Sequence, residues 1–171
     1  RETAAAALEA AGLAREEAAG AVRPHEGLRE VHRGAFDGKS NADEEVLRSW
    51  RASWALAPEA ELGGRQDFRV AAGAESYTEL QERVGEALEE LLEALPAEAA
   101  AGPLWVFGHS CAIRAFLWRA LGVYADVHPL NICNSAVTTL ERAARPGAPW
   151  RVVEMNDTGH LRASAASSAA H

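Results

Sequence analysis

The chain has 171 residues, of which 48% are hydrophobic and 25% charged, and its formal net charge is −8. These proportions are typical of one globular domain, and such a length buries roughly 70% of the unfolded chain's surface without help from metals or disulfides. The acidic balance argues against nucleic acid or an anionic membrane as the main partner. A small anionic substrate is still compatible, because a pocket can be basic locally.

The cysteine content indicates the cellular compartment, and the first residues bear on whether the chain is complete at its N-terminus. Cys111 and Cys133 make no disulfide framework, which favours a reducing, cytoplasmic location. No apolar run approaches the ~20 residues of a membrane span, and no signal peptide is visible. The sequence opens at Arg1 in what reads as the middle of a helix. We therefore expect the chain to be trimmed or incomplete at its front end.

Apolar spacing predicts four helices, over residues 2–13, 43–56, 77–95 and 110–121. Asn41 can cap the second of them, and Ser76 with Glu79 has the spacing of a capping box for the third. Pro96 and Gly122 end the third and fourth helices. Each of these signals is local, so each predicts an element without saying what the element packs against.

Three strands are predicted, over residues 104–107, 134–142 and 150–155. The first is an apolar run with the length of a buried strand. Strands separated by long helices predict an α/β fold, specifically a three-layer α/β/α sandwich with a mainly parallel sheet. We expect one domain over residues 1–162, followed by a disordered tail over residues 163–171.

His109 lies between the first predicted strand and the helix over residues 110–121. A strand that turns straight into a helix places the turn at the carboxyl end of a sheet, where free N–H groups and the helix dipole favour an anion. A titratable side chain at such a turn is a strong functional candidate. The alternative is a core histidine whose hydrogen bonds are simply satisfied.

Four blocks of the sequence together resemble a known family. They are Leu28-Arg29-Glu30 with Gly34 to Gly38, Glu75-Ser76 with Arg83-Val84, Val106 to His109 with Ile113-Arg114, and residues 134–138 with 156–161. In this order and at this spacing they resemble the histidine phosphatase superfamily, the group related to cofactor-dependent phosphoglycerate mutase. The resemblance spans about residues 1 to 161 and implies a phosphoglycerate mutase-like fold.

The resemblance implies phosphatase or mutase chemistry on a small phosphorylated metabolite through a phosphohistidine, without a metal or another cofactor, and of the two reactions we favour hydrolysis. His109 would be the second catalytic histidine, which donates to the phosphoryl oxygens. Glu30 would be the general acid that protonates the leaving alcohol. Further candidates for contacts to the phosphate or the organic part of the substrate are Ser110, Arg33, His32 and Asn134, the last of which could equally cap a turn.

The chain departs from the family pattern at two places. The Arg-His-Gly motif that carries the phosphorylated histidine is absent from these 171 residues. We therefore expect the nucleophile upstream of Arg1 in the full-length protein, and essentially no activity from this stretch alone. The second departure is Ser110-Cys111, which stands where the family usually has glycines.

Two other functions are compatible with the sequence. Gly108 to Ala112 has the pattern of an α/β-hydrolase nucleophile elbow, with Ser110 as nucleophile and His160 as base. Only 50 residues separate these two positions, which is short for that fold. The second alternative is a non-catalytic phosphatase-like binding module. Trp50 and Trp54 either cover the substrate or pack against the domain, and a homodimer is also compatible with the sequence.

Overall fold

The computed structural model describes residues 2–40, 42–57, 65–96, 102–123, 130–143 and 147–161. Within these residues the elements are α1 (Glu2–Ala10), α2 (Arg15–Ala21), α3 (Glu44–Trp54), α4 (Tyr77–Glu93), α5 (Ser110–Leu121), β1 (Val137–Arg142) and β2 (Trp150–Asp157). Two 3₁₀ turns, Glu26–Leu28 and Gly34–Phe36, lie between α2 and α3. The predicted tail over residues 163–171 lies outside the described residues.

The helices begin and end at residues with clear capping chemistry. At α4, the Ser76 hydroxyl accepts a hydrogen bond from the Glu79 N–H at 3.2 Å, and the Glu79 carboxylate accepts one from the Ser76 N–H at 2.9 Å. This confirms the predicted capping box. At α3, Asp43 accepts hydrogen bonds from the N–H groups of the first turn. Asn41, the predicted cap, lies outside the described residues.

The first apolar cluster joins α4 to α5. Leu80, Val84 and Leu88 of α4 pack against Ala112 and Ala115 of α5, and all five are buried. Alanines on α5 let the two helices approach closely. Because apolar burial is the main favourable term in folding, this contact fixes the first turn of α5 relative to the rest of the chain.

The second apolar cluster lies around α3 and the chain that leads into α4. Phe36, Val70 and Ala74 form its buried centre. Trp50 and Trp54 pack against it from α3, with Phe36 and Trp50 in edge-to-face contact at 5.2 Å between ring centres. The two tryptophans therefore do pack against the body of the protein, as one of the two sequence-based alternatives has it.

The two strands form an antiparallel pair, with Val137 opposite Asp157 and Arg142 opposite Trp150, and with irregular register near Thr139. The pair is attached to the helices by its aromatic residue, because Phe116 of α5 packs edge-to-face on the Trp150 ring at 5.2 Å.

The predicted buried strand over residues 104–107 is wrong. These residues form no strand, and Trp105 is 65% exposed and Phe107 42% exposed. A strand needs a second strand to pair with its backbone N–H and C=O groups, and the only sheet of the described residues is the β1–β2 pair. The described part of the chain therefore has α/β content, and it contains no parallel sheet. No helix in this part is long and apolar enough to cross a membrane.

Candidate active site

The carboxyl group of Glu30 lies against the first turn of α5. It accepts hydrogen bonds from the N–H groups of Cys111 and Ala112, both at 3.2 Å. A third comes from the N–H of Val31 at 2.8 Å. The first N–H groups of a helix have no partner inside the helix and carry partial positive charge. Glu30 therefore occupies the position that favours an anion at the start of α5.

His109 is the residue directly before α5. Its carbonyl accepts a hydrogen bond from the Ile113 N–H at 2.9 Å, and its exposed side chain makes no capping hydrogen bond. Ser110, also exposed, is the first residue of the helix. In the described part of the chain, no group accepts a hydrogen bond from its N–H. His109 and Ser110 thus adjoin the N–H groups that bind Glu30, on a surface open to solvent.

An ion pair between Glu75 and Arg83 holds the Glu30 segment in place. The two side chains form a bidentate pair with both N–O distances at 2.7 Å, and they are only 10% and 19% exposed. The Arg83 guanidinium also donates to the carbonyls of Gly27 at 2.8 Å and Arg29 at 3.2 Å. Arg83 therefore fixes the backbone that leads to Glu30, as a positioning residue.

Charge and hydrogen bonding set the ionisation of Glu75. Burial alone would raise its pKa. Hydrogen bonds from the Arg83 side chain and the His32 N–H, and the charges of Arg83 and Arg29, outweigh burial and lower the pKa from its ordinary value of 4.5. Glu75 is therefore a stable carboxylate partner for Arg83 at neutral pH.

His32 and Arg33 follow Glu30 in the chain and are tied to the same framework. The N–H of His32 donates to Glu75 at 3.2 Å, and its ring Nε2 lies 3.0 Å from the Asp37 carboxylate. The N–H of Arg33 donates to Asp37 at 3.1 Å. Both side chains line one cavity, together with Cys111 from the first turn of α5. The structure thus brings two predicted substrate-contacting residues to the neighbourhood of Glu30.

The Cys111 thiol is poorly suited to act as a nucleophile. Burial raises its pKa, as does the negative charge of Glu30, and the nearby Arg114 only partly offsets these effects. The thiolate is the reactive form of cysteine, so a raised pKa means low reactivity at neutral pH. The free thiol is therefore a structural part of the cavity wall.

Two predicted residues are joined to this site by no hydrogen bond within the described residues. Asn134 is exposed in the turn before β1, and no hydrogen bond links it to Glu30 or Ser110 there. Its role in substrate binding stays a prediction. His160 is also exposed, and within the same ranges no hydrogen bond joins it to Ser110. The contacts give the serine hydrolase alternative no support.

Glu75 and Arg83 have positioning roles that the sequence did not reveal. The sequence does contain a signal for this pair. Arg83 lies eight positions after Glu75 and about two helical turns into α4, so the two side chains can meet near the start of the helix. A buried acidic–basic pair at that spacing is a candidate clamp. Within the described residues, no group of three or more histidine, cysteine or acidic side chains lies together in a way that could hold a metal ion.

The described residues form both helices and strands, and they place the Glu30 carboxyl group at the helix turn that follows His109. Both features agree with the protein family that the chain matches. The family model of the histidine phosphatase superfamily (branch 1) matches residues 1–158, so the chain belongs to this superfamily. Among solved structures it is similar to Bacillus stearothermophilus YhfR, with a TM-score of 0.56 and 19% identity over 91% of this chain and 71% of that chain. That likeness shows a shared fold. No curated protein matches the chain.

Family membership confirms the resemblance that the four sequence blocks carry. It connects the chain with phosphatase or mutase chemistry. It also favours that chemistry over the α/β-hydrolase alternative, which would require a different fold around Ser110.

Proposed function

We propose that the full-length protein is a phosphomonoester hydrolase that acts on a small phosphorylated metabolite through a phosphohistidine intermediate. The observation that carries the proposal is the position of Glu30. Its carboxylate is bound by the N–H groups of Cys111 and Ala112, two and three residues beyond His109. A candidate proton donor and a candidate phosphate ligand are thus neighbours, which is what phosphoryl transfer to and from an alcohol requires.

The first chemical step transfers the phosphoryl group to a histidine nitrogen. The bond between phosphorus and the ester oxygen breaks, and the leaving alcohol takes the proton of the Glu30 carboxyl. In the second step water attacks phosphorus, its proton returns to Glu30, and orthophosphate leaves as the phosphorus–nitrogen bond breaks. Phosphomonoester hydrolysis without a catalyst is among the slowest known reactions, so donors around the phosphoryl group supply most of the acceleration.

Substrate binding changes the partner of Glu30 in this proposal. A phosphate at the start of α5 competes with the carboxylate for the same N–H groups, since both are anions. The displaced carboxyl then faces the ester oxygen, to which it donates its proton. His109 and the N–H of Ser110 are the proposed donors to the phosphoryl oxygens.

The proposal extends to the nucleophile and to the rest of the fold. We assign the nucleophile to the histidine of the family's Arg-His-Gly motif, in a segment that precedes Arg1 in the full-length protein. We assign the fold to the three-layer α/β/α sandwich of the same family, with a mainly parallel sheet. Neither a metal nor another cofactor takes part in the proposed steps.

The decisive experiment compares Glu30→Gln with Glu26→Gln in the full-length protein. Both changes remove one negative charge within the same loop, but Glu26 is exposed and is not hydrogen-bonded to α5. We expect Glu30→Gln to lower kcat by roughly 10²–10⁴-fold, the usual contribution of a general acid. Glu26→Gln should stay within about twofold of the parent, as surface substitutions do.

A second measurement tests the intermediate directly. Incubation with a ³²P-labelled phosphomonoester followed by a rapid quench should yield a phosphoenzyme that is stable in alkali and lost in acid, as a phosphohistidine is. Equal kcat values for the two glutamine variants would contradict the role of Glu30. An acid-stable phosphoenzyme, or none, would contradict the phosphohistidine.

A further inference from the structure

A cavity of about 370 Å³ opens next to the candidate active site. Its volume lies within the range of small-molecule sites, roughly 300–1,000 Å³. It is lined mainly by apolar side chains, among which five are aromatic: Phe36, Trp50, Trp54, Phe68 and Tyr77. They come from four separate parts of the chain, so the cavity is a product of the tertiary fold.

The aromatic rings form continuous walls. Trp54 lies within 6.1 Å of Trp50, 5.4 Å of Phe68 and 5.8 Å of Tyr77, measured between ring centres. Trp50, Trp54, Phe68 and Tyr77 are all only partly buried, so ring surface is left open toward the cavity. Such walls provide a large apolar contact area to a flat group that stacks on them or meets them edge-on.

The charged groups at the cavity are matched within the protein. The Glu75 carboxylate forms its bidentate pair with Arg83, and the Arg33 guanidinium lies 5.8 Å from the Trp50 ring centre. Aromatic cages that bind cationic ligands rely on exposed ring faces that no cation of the protein already occupies. Here the Arg33 guanidinium already lies over the Trp50 ring, and Arg83 neutralises the Glu75 carboxylate. A neutral ring is therefore the group that fits.

The cavity reaches the start of α5 through Cys111. The Cys111 side chain lines the cavity, while the Cys111 N–H binds the Glu30 carboxylate at 3.2 Å. His32 and Arg33, two and three residues after Glu30, line the same space. A molecule in the cavity therefore lies beside the atoms to which the phosphoryl chemistry is assigned.

We propose that this cavity binds the alcohol part of the substrate, and that this part carries an aromatic ring. The inference rests on the proposed phosphatase function and specifies its substrate class, the phosphomonoesters of aryl-bearing alcohols. Trp50 and Trp54 are the specificity-determining residues. The ring lies between the tryptophans while the ester phosphate extends past Cys111 to the start of α5.

The test uses benzyl phosphate and glycerol 2-phosphate with the full-length protein. Both are esters of aliphatic alcohols, so their difference reports contacts with the ring more than leaving-group acidity. Since burying a ring of this size is worth about 1.5–3 kcal/mol, we expect kcat/KM to favour benzyl phosphate by roughly tenfold or more. Trp50→Ala should bring that ratio close to one.

Two further variants distinguish loss of the binding cavity from loss of folding. Val46→Phe fills the cavity from α3 with an apolar side chain and should abolish the preference without removing a wall. Trp105→Phe changes a tryptophan that is 65% exposed and outside the cavity, and it should keep the preference. Survival of the preference in both Trp50→Ala and Val46→Phe would overturn the inference.

Binding of phosphonates separates this inference from the proposed function. Benzylphosphonate and methylphosphonate cannot be hydrolysed, and their binding is read from tryptophan fluorescence. Equal turnover of the two phosphate esters contradicts the aromatic specificity and leaves the phosphatase standing. Absence of turnover, with benzylphosphonate still bound roughly tenfold more tightly than methylphosphonate, contradicts the phosphatase and keeps the aromatic-binding cavity. Equal binding of the two phosphonates overturns the cavity assignment itself.

Discussion

Glu75 is the residue at which the stability of the site depends on pH. Its pKa is lowered in the folded protein from the ordinary value of 4.5 by hydrogen bonds and positive charges that outweigh burial. A carboxyl of this kind stabilises the fold fully above its unfolded pKa, and the contribution is lost as the pH falls through the lower folded pKa. We therefore expect the free energy of unfolding to decrease as the pH drops below about 4.5.

Glu75→Gln tests this expectation. Removing one partner of a largely buried pair leaves Arg83 uncompensated, so we expect a loss of about 3 kcal/mol in the free energy of unfolding at pH 7. The variant should also show a shallower decrease in acid, measured by urea denaturation from neutral pH to below 4.5. Glu86→Gln makes the same charge change at an exposed position of α4 and serves as control. Parallel curves of unfolding free energy against pH for the parent and Glu75→Gln would contradict the role assigned to Glu75.

At the scale of elements, the loop that carries His32 and Arg33 is held against residues 72–74 by close backbone contact. Gly34 (φ +60°) and Gly38 (φ +72°) both adopt the left-handed conformation, where a side chain costs about 1 kcal/mol. A Cβ atom at Gly34 would lie 2.3 Å from the Ala72 carbonyl oxygen, whereas nothing lies within 4 Å of one at Gly38. The two glycines thus have the same backbone conformation, but only Gly34 lacks room for a side chain.

We expect Gly34→Ala to destabilise the protein by about 1–3 kcal/mol more than Gly38→Ala does, because only the first forces two backbone segments apart. Chemical denaturation of both variants measures the difference. Equal losses would mean that the close approach is relieved without cost.

Local signals predicted the helices and not the long-range contacts. The helix over residues 110–121 was predicted with the bounds that the structure has, and α4 ends at Glu93, two residues before the predicted end. Both elements carry their own caps and apolar spacing. The run over residues 104–107 has strand composition and no strand partner among the described residues. α2 is not predicted, because its short alanine- and glutamate-rich stretch follows Ala14, whose side chain cannot cap a helix.

The candidate site was predictable where a local pattern or the family motif names residues. His109 is a candidate from its place before the helix over residues 110–121, Glu30 comes from the resemblance alone, and the structure brings Glu30 to the helix turn that follows His109. Residue spacing could not show that the Glu30 carboxylate itself binds the N–H groups of α5. Nor could it show the cavity, because its aromatic walls are far apart in sequence and meet only through the second apolar cluster.

At the scale of the whole molecule, Tyr77 connects the second apolar cluster to α5, the helix that carries part of the first cluster. Its ring lies 5.8 Å from that of Trp54 in the second cluster and 5.5 Å from that of Trp118 on α5. We expect the parent protein to unfold in one transition, with fluorescence and far-UV circular dichroism coinciding. Tyr77→Ala should separate the two curves, since it removes the ring between the clusters.

Tyr77→Phe is the matched control, because it keeps the ring and removes only the hydroxyl group. Its two unfolding curves should coincide as they do in the parent. Coincident curves in Tyr77→Ala would show that the helix contact of α4 with α5 is sufficient to couple the clusters.

Arg83 recognises the Glu30 loop almost entirely through peptide oxygens, those of Gly27 and Arg29. Such recognition is indifferent to which side chain the exposed Arg29 bears and sensitive to where its peptide unit lies. Sequence drift at that position is consequently permitted, while one inserted or deleted residue between Gly27 and Glu30 would carry the carboxyl group off the helix end. The length of the loop is thus fixed more strictly than the side chain at position 29.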